Sequence, residues 1–148
     1  MEAIFQHALR SLPHGPEFRF IDNLVALDPG RAGKAQYHVR GDEPFLRGHF
    51  PGTPIFPGVL LLEGAAQLAG IVAQCDPDLG AMPGLKLTAV RSAKIVGLAR
   101  PGDVVEFTAR VTGRLGRLVQ AEIRATVKGA LVLEGHVALS GDHEPAGK

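Results

Sequence analysis

His49 and Glu63 are the side chains of this sequence best suited to acid–base chemistry. An imidazole titrates near neutrality and takes a proton without a large shift. A carboxyl group enclosed by apolar residues is costly to charge, so it favours keeping a proton that it can give away. Together the two types can remove a proton from one carbon and protonate a hydroxyl leaving the next. Between them lies Gly58 at the expected start of a helix. Its N–H points outward with the positive end of the helix dipole behind it, a donor for an oxygen gaining negative charge. Base, acid and oxyanion donor therefore arise close together in the chain.

The elements that must position them are a stiff loop and an apolar helix. The loop Gly48-His49-Phe50-Pro51-Gly52-Thr53-Pro54-Ile55-Phe56-Pro57-Gly58 fixes φ at three prolines and permits close backbone approach at its glycines. The segment Val59–Cys75 follows, with Glu63 as its only formal charge. Leu60, Leu61, Leu62, Ala65, Leu68, Ala69, Ile71 and Val72 cover most of a helical cylinder, which predicts a helix buried nearly all round. Pro57 suits the first turn, and Asp76-Pro77 ends the helix. Glu63 and Gln67 are four apart and share one face, so Gln67 is expected to orient Glu63 or brace the loop. The polar Gln67 and Gln74 and the early Glu63 argue against a membrane span.

The rest of the chain reads as strands. Phe18 to Leu27 alternates and closes at Asp28-Pro29-Gly30; Gly33 to Arg40 follows; then come Lys86–Val96, Val104–Gly113, Leu118–Lys128 and Leu131–Ser140. Short turns between them favour meander-like antiparallel pairing. One buried helix and a run of antiparallel strands make an α+β class, a sheet wrapped around one long central helix.

The 148 residues fit one domain, 1–148, with 142–148 as a frayed tail. A hydrophobic content of 45% supports a core, and a net charge of +1 gives no reason to invoke nucleic acid. Cys75, the single cysteine, excludes an internal disulfide and reads as a core residue. No signal-like segment opens the chain, so the cytoplasm is the expected compartment. His7, His38, His136 and His143 lack metal-ligand spacing, and no metal site is assigned.

Residues 48–67 resemble the β-hydroxyacyl-(acyl-carrier-protein) dehydratases of the hotdog fold, in particular the FabZ type. The family reads roughly Gly-His-Phe-Pro-Gly-x-Pro-(Ile/Val)-x-Pro-Gly-Val-x-x-x-Glu-x-x-x-Gln, and this segment matches throughout. Leu12-Pro13-His14-Gly15-Pro16-Glu17-Phe18 through Asp22, Glu43-Pro44-Phe45 and Arg100-Pro101-Gly102-Asp103 resemble further family segments, so the likeness spans about residues 10–140. The related FabA type carries Asp at the helix position, so Glu63 favours FabZ.

The resemblance implies the hotdog fold and dehydration of (3R)-3-hydroxyacyl thioesters to trans-2-enoyl thioesters in fatty-acid or related acyl-chain biosynthesis. It implies His49 as base, Glu63 as acid and Gly58 N–H on the thioester carbonyl, with Gln67, Phe50 and Pro57 supporting and His14 structural. It implies no cofactor, a homodimer whose sites take His from one chain and Glu from the other, and further assembly as far as a hexamer. An acyl carrier protein presents the substrate, with Arg91, Lys94 and Arg100 as its weaker contacts. Here the chain departs from the family: Ile95, Val96 and Gly97 stand where a Phe and two basic residues are usual, which admits a specialised carrier or a CoA thioester. The rival readings are a hotdog acyl thioesterase and a non-catalytic hotdog partner of another dehydratase. Leu60, Leu61, Ile71, Val72, Leu87 and Ile95 are candidates to line an acyl tunnel.

Overall fold

The computed structural model describes residues 8–10, 12, 14–15, 18–48, 52, 54–79 and 82–142. His49, Phe50 and all of the expected tail except Asp142 lie outside the described residues. Asp142 itself is tied down: its N–H donates to the Pro83 carbonyl at 2.7 Å, and Lys86 Nζ reaches its carboxylate at 3.0 Å.

The strands are β1 (Asn23–Asp28), β2 (Ala32–His38), β3 (Lys86–Ile95), β4 (Val104–Leu115), β5 (Leu118–Val127) and β6 (Ala130–Ser140). They form one antiparallel sheet in the order β1-β2-β4-β5-β6-β3. Along β4 and β5 burial alternates with the period of a pleated strand. Val105, Phe107 and Ala109 from β4, and Val119, Ala121, Ile123 and Ala125 from β5, are the buried set. The helix α1 (Gly58–Gln74) lies against the sheet and packs most extensively on β4. The arrangement is the hotdog fold expected from the sequence.

Two close approaches set how tightly α1 sits. A Cβ on Gly64 would lie 2.5 Å from Cζ of Phe107, so the helix rests on that ring and any larger residue must displace it. A Cβ on Gly58 would lie 2.7 Å from Cδ1 of Ile95, which brings the helix start against the end of β3. At the other end, Arg114 of β4 donates to the carbonyls of Ala73 and Leu79, a cation where the helix dipole is negative. Gln74 clamps Met82 through both its carbonyl and its N–H, at 2.7 and 2.6 Å.

Three sequence expectations are corrected. The first strand begins at Asn23 rather than Phe18, because the Phe18 carbonyl and the Phe20 N–H bond to Gln67 of α1 instead of to a strand. The sheet is not a simple meander, since β3 pairs with β6 at the far edge and not with β4. Residues 96–103 carry the chain back across the sheet end: the Val96 N–H bonds to Val132, Phe56 N–H to Ala99, and Val39 N–H to Asp103. Finally, α1 is not buried all round. Its first turn is open, with Val59 67% exposed and Leu60 and Leu62 half-buried. A single sheet covers only one side of a helix. Edge strand β3 is likewise exposed along most of its length, Val90 and Ile95 included.

Candidate active site

Glu63 stands in the second turn of α1 and lines a cavity of about 210 Å³. It is not sealed in the core: its side chain is 20% exposed. Two neighbours hold it. Gln67, one turn on and itself buried, donates from Nε2 to Oε2 of Glu63 at 3.1 Å. His14 Nε2 lies 3.3 Å from the same oxygen. The helical spacing of Glu63 and Gln67 predicts the first contact. The second was not legible: His14 lies on a loop remote in sequence, and nothing in its spacing marks it as a neighbour of the helix. Its place in the family-like segment Leu12-Pro13-His14 was the available signal.

Gln67 is the knot of the site. Its Oε1 accepts the Phe20 N–H at 3.0 Å, and its Nε2 also donates to the Phe18 carbonyl at 2.9 Å. One amide thus ties the segment 18–20 to the helix and aims at the carboxylate. Phe20, Tyr37, Phe45 and Phe56 pack edge-on and tilted beside it, with ring centroids 5.5 to 6.0 Å apart. Such pairs contribute beyond the area they bury.

The loop that leads to His49 is fixed by a buried carboxylate, Glu43. Glu43 accepts the Tyr37 hydroxyl at 2.7 Å, the Arg40 N–H at 3.0 Å and the Gly41 N–H at 2.7 Å. Burial pushes the Glu43 carboxyl up, but these hydrogen bonds outweigh it and hold the group below its ordinary value. Burial and the bond to Glu43 push the Tyr37 phenol up. The chain then enters the 3-10 turn Pro44–Gly48, which ends next to His49.

Gly58 is the first residue of α1, and Pro57 is its N-cap, with φ −59° and ψ 131°. Pro57 thus stands just outside the first turn. It supplies no side-chain cap, and its carbonyl accepts the Leu60 N–H at 2.9 Å. Of the candidate tunnel residues, Ile71 and Leu87 line the cavity beside Glu63. Leu61 and Val72 are core, and Ile95 is half exposed at the sheet edge. Arg91, Lys94 and Arg100 are exposed. Burial pushes the Cys75 thiol up, which lowers its thiolate fraction. Among the described residues no cluster of His, Cys, Asp and Glu gathers to hold a metal, and no helix is long and apolar enough to cross a membrane.

The family model for the FabA-like domain matches residues 12–136, which take in both the helix carboxylate and the loop before it. The chain belongs to the FabA-like family. Its relatives within that family include the 3-hydroxyacyl-(acyl-carrier-protein) dehydratase FabZ of Anaplasma phagocytophilum, 34% identical over 140 residues that cover 93% of this chain and 96% of that protein. The FabZ of Myxococcus xanthus is 38% identical over 130 residues, covering 86% and 84%. Among solved structures, the dehydratase heterocomplex ApeI:P from Xenorhabdus doucetiae superposes with a TM-score of 0.78, covering 93% of this chain and 91% of that one. At 17% identity that likeness speaks for the fold alone. The FabA-like chain described here is thus a FabZ-type hotdog dehydratase, and the thioesterase and non-catalytic readings fall behind it.

Proposed function

We propose that the chain dehydrates (3R)-3-hydroxyacyl thioesters with His49 as general base and Glu63 as general acid. His49 takes a proton from C2 as the thioester carbonyl draws negative charge toward the Gly58 N–H. Glu63 gives its proton to the 3-hydroxyl, the C3–O bond breaks, water leaves, and the C2–C3 double bond forms. The thioester carbonyl itself takes up the developing charge. The observation that carries this reading is the placement of Glu63: the one charge of α1, held by His14 and Gln67 in the wall of a largely apolar cavity.

In this reading the substrate arrives on an acyl carrier protein, the carrier named for the FabZ relatives. Arg91, Lys94 and Arg100 are its contacts, and Val96 and Gly97 weaken the basic track relative to the family. The enzyme works in the cytoplasm as a homodimer, with His49 of one protomer facing Glu63 of its partner. The exposed β3 edge and the open first turn of α1 are the surfaces such a partner would cover.

The test is hydration of a short trans-2-enoyl thioester, followed by loss of its ultraviolet absorbance and run on carrier-protein and CoA forms with a free-thiol control. Expected is hydration without thiol release, lowered about 10²–10⁴-fold by His49→Ala and by Glu63→Gln. Thiol release in place of hydration would make the chain a thioesterase. Wild-type hydration by either variant would remove that residue from the mechanism.

A further inference from the structure

One hydrogen bond and one close ion-pair contact converge on a single atom of Glu63. Gln67 Nε2 and His14 Nε2 both reach Oε2, at 3.1 and 3.3 Å, and among the described residues no donor is assigned to Oε1. Neither donor is free to turn. If the Gln67 amide flipped, its NH2 would face the Phe20 N–H and its carbonyl would face the Phe18 carbonyl. Among the described residues His14 Nδ1 is buried with no hydrogen-bond partner, whereas Nε2 faces the Glu63 carboxyl oxygen, so the proton is satisfied only on Nε2. The imidazole therefore carries its proton on Nε2, aimed at the carboxylate. The ring also stacks on Phe18, with centroids 6.0 Å apart, and Arg19 Nε donates to the His14 carbonyl at 3.2 Å. Lys86 is the other ionisable side chain among the residues that line this cavity.

A carboxyl group whose one oxygen accepts two N–H bonds carries its proton on the other. We infer that His14 is a positioning residue for the dehydration: with Gln67 it holds Oε2 of Glu63 as acceptor and so makes Oε1 the oxygen that delivers the proton. The inference rests on Glu63 being the general acid. In the step, the Oε1–H bond breaks as an O–H bond of the departing water forms, and the C3–O electron pair leaves with that oxygen. The charge left on the carboxylate spreads to Oε2, where the Gln67 hydrogen bond and the close His14 contact become charge-assisted and strengthen. The hold is thus tighter in the transition state than with the neutral acid, which is the condition for raising kcat. Glu63 regains a proton from water and His49 gives one up, so no proton is consumed overall.

Three His14 variants test this in the full-length enzyme. His14→Phe keeps a ring on Phe18 and drops the donor; His14→Gln offers an amide N–H near the Nε2 position; His14→Asn offers one too short to reach. Each is measured by enoyl-thioester hydration over a range of pH, alone and with Glu63→Gln, after thermal melting shows a folded protein. Expected is a kcat lowered about 10–100-fold by His14→Phe and His14→Asn with KM changed less than about twofold. His14→Gln should recover most of the rate with the wild-type pH profile, and none of the three should slow Glu63→Gln further. If His14→Phe fails to fold, the contrast between Gln and Asn carries the same test. Wild-type kcat in His14→Asn, equal losses with and without Glu63, or a His14→Gln enzyme that is slow and lacks one limb of the pH profile would overturn the inference. A Glu63→Gln enzyme that hydrates normally would instead remove the acid assignment itself.

Discussion

At the scale of single residues, two buried polar groups do most of the positioning, and each takes several partners. Gln67 makes contacts to Glu63, Phe18 and Phe20; Glu43 makes contacts to Tyr37, Arg40 and Gly41. Glu43 leads to a pH prediction. Its carboxylate is held below the ordinary value of 4.5, so the folded protein binds this proton less readily than the unfolded chain. The stability it contributes is complete above that value and is lost as pH falls through the lower, folded one. The Tyr37 hydroxyl bond is part of that contribution, and it is charge-assisted only while Glu43 is ionised. Urea midpoints should therefore show Tyr37→Phe less stable than wild type at neutral pH, with the gap narrowing as Glu43 protonates. A gap that stays constant through the whole acid transition would contradict it. Residue identities in this region were readable: Glu63 stood out by its isolation and Gln67 by its spacing. His14 was read as structural because its contact with Glu63 depends on how a distant loop folds back on the helix.

At the scale of elements, α1 and its seat on β4 decide where the acid stands. The helix was legible to within a residue at either end, since an apolar run bounded by Pro57 and Asp76-Pro77 leaves little choice. Strands β2 to β6 were legible from alternation and turns, as at Lys128-Gly129, where both residues have positive φ. The start of β1 was not, because period-two alternation at Phe18 and Phe20 is equally satisfied by a segment laced to a helix through one glutamine. The destination of β3 was hidden too: pairing order depends on residues 96–103 crossing the sheet end, which no local pattern encodes. The seat itself is tested by Gly64→Ala. The added methyl meets the Phe107 ring, and overpacking of this kind costs about 1–3 kcal/mol. Chemical denaturation should show that loss, with a parallel fall in activity as Glu63 shifts with the helix. A variant as stable as wild type would mean that the ring moves aside freely.

At the scale of the whole molecule, one chain offers an acid, an apolar cavity and two uncovered surfaces, the β3 edge and the first turn of α1. An exposed edge strand with apolar side chains invites another chain to pair with it. In the proposed shared site, that edge would bring Glu63 of one protomer to the His49 loop of its partner. The most direct measurement is complementation. His49→Ala and Glu63→Gln proteins are unfolded together, refolded, and assayed by enoyl-thioester hydration beside each variant alone. If sites form between chains, each mixed dimer holds one site with both groups intact. Random mixing should then restore about a quarter of wild-type activity from two nearly silent proteins. A mixture no more active than its parts, once mixed dimers have been shown to form, would contradict the shared site and put base and acid within one chain.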